Sequence, residues 1–464
     1  MSIDRRQLLR NAACGFGGIA LHSLLTDEAQ AGVNPPPHFR PRAKRVIFLF
    51  MRGGPSPMDT FDYKPLLQRD HDKKIDVHEL QKAQKRQLGK LLKSPFSWKQ
   101  HGEGGLWISE LFPHLSRQAD KLCVVKSMHT EGFDHGQAIL RLQTGEDAFI
   151  RPSIGSWVAY GLGNENANLP AFVSMNPGAS VLGTRGFSNV FLPGNCQGMP
   201  IGVEGIRAQD ASISHLARAT PSQARLLARI QQRNRQHFAA RPDPRLEGRI
   251  SNYELAFRMQ ELAPELMDVE RESEATRDLY GVGEEPTDDF ARRCLLARRM
   301  AEAGVRFIQI THQHKEGKKV PYWDQHNDLE YGLRENAARV DKPIAGLLKD
   351  LEARGLLDDT LIWWGGEFGR TPVREFRNRS IGRDHNPLGF TQWLAGAGVR
   401  GGYAHGQTDD YGYRAAVDKV HMHDLHATIL HLLGINHERL TYRYAGRDFR
   451  LTDVYGNVVH KLIS

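Results

Sequence analysis

Along the chain, short and nearly unbroken apolar runs alternate with longer stretches in which apolar positions recur every three or four residues. The runs are Arg45–Met51 (RVIFLFM), Lys121–Met128 (KLCVVKSM), Ala171–Met175 (AFVSM), Arg306–Thr311 (RFIQIT), Leu361–Trp364 (LIWW) and Phe390–Ala395 (FTQWLA). Each has the length of a strand, and continuous apolarity predicts strands covered on both faces, because a half-exposed strand alternates. Between them, Pro343–Arg354 (PIAGLLKDLEAR) sets Ile344, Leu347, Leu348 and Leu351 on one helical face. Strands alternating with helices predict an α/β fold: a doubly wound, mainly parallel sheet with helices on both faces.

Two stretches break the alternation. Residues 67–104 are rich in Lys and Gln and poor in apolar positions, which predicts a surface excursion or a lid beside the loop that follows the first strand. Residues 204–300 carry helical patterns dense in Arg, Gln and Glu, such as SQARLLARIQQRNRQ and FARRCLLARRMAEAG, and predict a helical insertion. No internal repeat and no low-complexity segment interrupts the rest.

The first 31 residues have a separate character. A twin arginine, Arg5-Arg6, precedes Leu8-Leu9, a Gly/Ala-rich apolar stretch and the small-residue site Ala29-Gln30-Ala31. This reads as a twin-arginine export leader cleaved after Ala31, followed by a Pro-rich linker over 32–44 and a single domain over 45–464. The expected location is periplasmic or secreted. No run approaches the roughly 20 apolar residues of a membrane-spanning helix, so no transmembrane segment is expected.

Charge and cysteine usage narrow the classes. The chain of 464 residues carries a formal +8, a surface that attracts anionic small molecules or polymers. The arginines are scattered, without an aromatic-interleaved patch or a nucleic-acid motif, so nucleic acid is not the expected partner. Of the four cysteines, Cys14 lies in the leader, and Cys123, Cys196 and Cys294 make neither a disulfide framework nor a C-x-x-C zinc motif.

Candidate chemistry gathers just after the strands. In FMRGGPSPMDTFDYKP, Gly53-Gly54 allow backbone N–H groups to approach an anion, Ser56 adds a donor, and Asp59 and Asp62 are hard oxygen ligands. A tight turn capped by an aspartate has the same pattern. The stretch MHTEGFDHGQAILRLQTG offers His129, Thr130, Asp134 and His135 at the start of a helix, where Asp134 can equally be a cap. In THQHKEGKKVPYWDQHNDL, His312, His314, Asp324, His326 and Asp328 concentrate nitrogen and carboxylate donors suited to zinc, manganese or calcium. Finally, GGEFGRTPVREFRNRSIGRDHNP contains Glu367 and His385, able to bind a metal or move a proton, and Arg370, able to clamp an oxyanion. In HMHDLHATILHLLG, Asp424 reads as a helix cap and most of the histidines as packing or surface residues.

Taken together, GGPSPMDTFDYKP, HGQAILRLQTG, WDQHNDL, LIWWGGEFGRTP, GRDHNPLGFTQWLAGAGVRGG and DLHATILHLLGINHERLTYRYAGRDFRLTDVYG resemble the family called domain of unknown function 1501, in order and over nearly the whole mature chain. That family is grouped with the alkaline phosphatase and sulfatase superfamily. The resemblance implies a doubly wound sheet and a usually bimetallic site that splits phosphate or sulfate esters. It places the nucleophile's slot near His135, with Thr130 the nearest hydroxyl. Glu367-Phe368-Gly369 resembles a late Asp-His-Gly that supplies metal ligands, with only the acid kept. His385 resembles the final metal histidine, and Asp324 and His326 an aspartate–histidine ligand pair. The acid expected at the end of the first strand is missing unless Asp59 or Asp62 replaces it.

The expected activity is therefore an exported, metal-dependent hydrolase of phosphate or sulfate esters. Its expected metal ligands are Asp324, His326 and His385, with Glu367 and Asp59 for a second ion. His135, Thr130 and Arg370 are the expected catalytic groups, and Gly53, Gly54 and Ser56 the expected anion site. The alternative is a non-catalytic anion- or polysaccharide-binding protein that kept the fold and lost the nucleophile. The leader makes a prediction of its own: replacing Arg5-Arg6 with Lys-Lys traps the uncleaved precursor in the cytoplasm, read by fractionation and immunoblot, and normal export of that variant rules out the twin-arginine assignment.

Overall fold

All six predicted strands form, and all six enter one sheet. A computed structural model describes residues 36–75, 89–178, 183–213, 221–240, 244–312, 322–377 and 380–464; the leader and His314 lie outside them. The sheet is built from β1 (Arg45–Phe50), β2 (Leu122–His129), β3 (Phe172–Met175), β4 (Met199–Ile201), β5 (Phe307–Thr311), β6 (Thr360–Gly365), β7 (Phe390–Ala395), β8 (Tyr403–His405) and β9 (Val420–His421). Their order is β8-β2-β7-β6-β1-β5-β3-β4, with β9 also against β2. β1 is central and parallel to both neighbours, Val46 lying opposite Phe307 of β5 and Leu361 of β6.

Only β7 is reversed, antiparallel to β2 and to β6. The carboxyl ends of β1, β2, β5 and β6 therefore share one edge, and the chain entering β7 arrives at that same edge. Loops from five strands are thus brought together where ligands gather in open α/β sheets.

Every residue of β1 is buried, because each of its faces meets a helical layer. Ile47 and Leu49 pack with α5 (Asp288–Glu302) and α6 (Leu329–Ala353). Val46, Phe48 and Phe50 pack with α1 (His135–Thr144), α2 (Ile154–Leu162) and α7 (Met422–Leu432). Each fully buried aliphatic or aromatic side chain contributes about 1.5–3 kcal/mol, so the apolar runs are what make this sheet.

An aromatic block carries the packing towards the sheet edge. Trp364 stacks on Trp393 at 5.8 Å and meets Phe61 edge-on at 5.2 Å and Trp323 at 6.3 Å. Trp323 is completely buried, which fixes the backbone immediately before Asp324.

Three expectations change. The predicted helix at Pro343 is the second half of α6, which runs through that proline for 25 residues. Leu329, Leu333, Ala337 and Val340 continue the buried stripe upstream, and their burial outweighs the hydrogen bond that Pro343 cannot donate to Arg339. The helical insertion is also shorter than expected. The helices α3 (Pro221–Ala240) and α4 (Pro244–Met267) lie in it, whereas α5 belongs to the sheet's own layer, with Phe290, Cys294, Leu295 and Ala297 in the main core. The excursion over 67–104 contains the first strand of a hairpin in which Trp98–His101 pairs with Leu106–Ser109.

Candidate metal centre

Four side chains meet at the carboxyl edge of the sheet. His135 is the first residue of α1, behind the cap Asp134, whose Oδ1 accepts from Gly136 N at 2.9 Å. Asp324 and His326 precede α6. His385 sits in a two-residue ribbon, His385–Asn386, antiparallel to Gly369–Arg370. One ligand atom from each of His135, Asp324, His326 and His385 lies within 4.8 Å of the others.

The rings are aimed by what binds their far nitrogens. Nδ1 of His135 donates to Glu367 Oε1 at 2.6 Å, Nδ1 of His326 to Glu375 Oε2 at 2.6 Å, and Nδ1 of His385 to the Phe133 carbonyl at 2.8 Å. These acceptors fix the tautomers and leave three Nε2 lone pairs facing Asp324 Oδ1, at 3.2, 3.0 and 3.3 Å. His326 Nε2 and His385 Nε2 are only 2.9 Å apart. Two lone pairs at that distance repel unless a proton or a cation sits between them.

The arrangement fits a metal. A tetrahedral ion with nitrogen and oxygen ligands at about 2.0–2.2 Å separates neighbouring ligand atoms by about 3.3–3.6 Å, close to the spacings around Asp324. Formal charge bears on the same point: the Asp324 carboxylate faces Arg370 and the three imidazoles, and the Glu367 carboxylate faces His135. Arg370 reaches Asp324 Oδ1 at 2.6 Å.

Proton affinities follow from these contacts. Burial works against a charged His135, but the carboxylates of Asp324 and Glu367 outweigh it and raise its pKa to about 9. Burial also opposes ionisation of Asp324, and Arg370 with the three imidazoles overcomes it, holding that carboxyl far below the usual range. His385 is lowered, chiefly by burial and then by Arg370 and His135, against the pull of Asp324. Without a metal, the cluster keeps its cation as a proton on His135.

Asp324, His326 and His385 thus lie together as the expected ligand set, and their fourth companion is His135, expected instead at a nucleophile's slot. Glu367 is not in the group of four; it is fully buried and serves as the acceptor that orients His135. Asp59 is elsewhere, in an ion pair with Arg383 at 2.7 and 3.2 Å, both side chains at 0% exposure. Its carboxylate is consumed by a buried guanidinium, so it does not join a metal site here. Asp62 is taken by Thr408 and Lys64. Thr130 is buried, with a hydroxyl that has no hydrogen-bond partner among the described residues, and its backbone N–H donates to the Pro387 carbonyl at 2.9 Å.

The expected anion site turns inward. Gly53 N donates to both Glu367 oxygens, at 3.0 and 3.1 Å. Ser56 Oγ donates to Asp59 at 2.5 Å. Arg370, 1% exposed, spends its donors on the carbonyls of Gly53, Gly54 and Arg383 and on Asp324. Gly53 is glycine because φ is +111° and a Cβ would lie 2.7 Å from Asp324 N, a close approach of two chains and not of chain and phosphate. His312 is buried against Phe290 and Trp323, and Asp328 accepts from Ser380 Oγ at 2.6 Å. In the late histidine-rich segment the helix cap is His421, and Asp424 is the third helical residue, closing a capping box with His421 N at 2.9 Å. The anchors Glu375 and Arg383 escaped sequence reasoning, although both lie in the stretch that holds Glu367 and His385; only the fold shows which charges they face.

A family described as "Protein of unknown function (DUF1501)" matches residues 43–463. No curated protein matches the sequence. Among solved structures, a sulfatase from a Pseudoalteromonas species is 12% identical with a TM-score of 0.35, over 91% of this chain and 72% of that one. The alkaline phosphatase of the Antarctic bacterium TAB5 is 10% identical at 0.35, over 84% and 98%. The lipoteichoic acid synthase of Listeria monocytogenes is 9% identical at 0.33, over 92% and 80%. At such scores the activity must be argued from the cluster itself.

Two outcomes follow from the geometry. Asp59→Asn leaves Arg383 buried without its counter-charge and costs about 3–5 kcal/mol in denaturant unfolding, with bound-metal stoichiometry unchanged. For the metal-free protein, the folded pKa of His135, about 9, exceeds its ordinary 6.5. Its contribution to stability is complete below pH 6.5 and is lost as pH rises through 9. Unfolding midpoints of the metal-free chain accordingly fall over that window, and His135→Asn flattens the fall.

Proposed function

The chain belongs to the DUF1501 family, and for this member we propose metal-dependent hydrolysis of phosphate or sulfate esters at His135, Asp324, His326 and His385. The observation that carries this reading is the convergence of three imidazole Nε2 atoms, each with its Nδ1 engaged, on one oxygen of Asp324. Three nitrogens and one carboxylate oxygen suit zinc or manganese better than calcium, which prefers six to eight oxygens. When bound, such an ion polarises a substrate oxygen and lowers the pKa of coordinated water.

The chain's own residues supply the rest. Glu367, Glu375 and the Phe133 carbonyl hold the rings, while Arg370 keeps Asp324 ionised. The Phe368 ring packs on His135 at 4.9 Å and on His385 at 4.5 Å, closing the inner side to water. Asp324 and His135 are the members that solvent reaches, with side chains 30% and 23% exposed, so an ester approaches over them. Thr130 is 3% exposed, and an enclosed hydroxyl favours water over a side chain as the attacking group.

The formal +8 of the chain suits an anionic small molecule or polymer as substrate. Export to the periplasm or beyond belongs to the same proposal and rests on the leader's twin arginine. The non-catalytic anion-binding alternative has less support, because Gly53 N–H, Ser56 and Arg370 are all committed within the protein.

The test is His385→Ala. Metal affinity, measured by titration with mass-spectrometric metal analysis, falls by more than about 100-fold, beyond the usual loss for an outer partner. Turnover of an aryl phosphate mono- and diester and aryl sulfate panel falls with it, while the metal-free variant and the metal-free parent unfold at similar midpoints. Unchanged metal affinity removes His385 from the site, and hydrolysis that persists in stripped protein removes the metal from the reaction.

A further inference from the structure

On the sheet face beneath α1, two buried polar residues sit side by side. Ser174 of β3 and Gln309 of β5 are direct cross-strand partners, and Gln309 also lies opposite Phe48 of β1. They are 0% and 4% exposed. Gln143, 2% exposed, comes from the last turn of α1. Ser174 Oγ, Gln143 Oε1 and Gln309 Oε1 have no hydrogen-bond partner among the described residues.

These three orphans line a single cavity of ≈ 30 Å³. Phe50, Ile139 and Phe187 give it apolar walls, and Arg52 with half-buried Gly178, Gly183 and Gly186 rims it. Interior polar groups are nearly always paired, because an unpaired one forfeits its hydration without return. Three unpaired groups from three separate elements, sharing one hollow, are therefore a built site.

We propose that this chamber binds a small neutral ligand bearing hydroxyl groups: a polyol, or the hydroxymethyl end of a sugar. A hydroxyl and two carboxamides each donate and accept, and exchanging amide oxygen for nitrogen leaves the same groups unpaired. None is charged, and the Arg52 guanidinium at the rim is matched by Glu204 at 2.7 Å, so the inner end of the chamber selects neither anion nor cation. The volume holds two or three water-sized groups, enough for a C–C–O unit whose carbons face Phe50 and Ile139. The chamber shares no residue with the metal cluster, although Arg52 adjoins Gly53 and α1 carries both His135 and Gln143. Binding here stands whether or not the cluster is catalytic.

Saturation-transfer NMR on the mature protein, with glycerol as probe and 1-propanol as the hydroxyl-poor control, tests the proposal. Glycerol gives a saturable signal in the parent and 1-propanol a weaker one, and Gln309→Leu weakens glycerol binding by about tenfold or more, as sites built around hydroxyl recognition do. Because that substitution removes an unpaired buried amide, the variant without glycerol unfolds at or above the parent's temperature, and its metal content is unchanged. Ser174→Ala repeats the measurement if Gln309→Leu does not fold. Equal glycerol binding in parent and variants, or no saturable signal, means the chamber holds only water and overturns the proposal. Displacement of glycerol by inorganic sulfate or phosphate makes it an anion site and overturns it as well.

Discussion

A carboxylate with no access to water needs donors, and Glu367 finds them on two other pieces of chain. It leaves the end of β6, takes the Gly53 N–H from the loop after β1, and takes His135 Nδ1 from the start of α1. Losing either of these donors leaves a charge poorly compensated in the interior, which typically costs several kcal/mol. Three residues later, Arg370 grips the Gly53 and Gly54 carbonyls from the other side and reaches Asp324. The backbone at Gly53 is thus held at both its donor and its acceptor. Through it, the loops after β1 and β6, the first turn of α1 and the segment before α6 are locked to one another. The meeting of His135, Asp324, His326 and His385 is a consequence of that lock.

Charge balance explains why the lock calls for a cation. Asp324 faces Arg370 and three imidazoles, and Glu367 faces His135, on a chain whose overall charge is positive. A surface can spread an imbalance into water and salt, but this pocket is largely closed. It can hold a proton, as the raised pKa of His135 indicates, and in the proposed function a metal takes that proton's place. On that proposal proton and metal compete for one place, and the imidazole nearest to solvent is the switch between the two states.

Much of this was legible in the sequence, and the failures share one cause. Continuous apolar runs marked β1, β2, β3, β5, β6 and β7 because a strand buried on both faces has no polar alternation to hide. β4, β8 and β9, of two or three residues, are too short to leave a pattern. Asp324, His326 and His385 were readable as one cluster because polar donors in loops without apolar periodicity have few other reasons to gather. Gly53-Gly54 misled: two glycines after a strand permit a close approach, and the sequence does not say whether to a phosphate or to the backbone of residue 324. Asp59 misled for the same reason, since its partner Arg383 lies 324 residues away. Composition and spacing disclose which groups are available, whereas pairing is settled by topology.

The same distinction separates the two polar regions along α1. At its first residue, polar atoms are over-determined: every imidazole has a partner at Nδ1 and a converging neighbour at Nε2. Near its last turn, Gln143, Ser174 and Gln309 are under-determined, with atoms that no described residue satisfies. An apolar trio in their place would pack more stably, so their retention calls for a reason outside the fold. Rigid anchoring at one end and unspent hydrogen-bonding capacity at the other are what a protein needs to hold an ion firmly and a polar ligand reversibly. Both arise because the reversed β7 and the parallel strands around β1 deliver polar side chains to a common edge while their apolar faces supply the stability to keep them there.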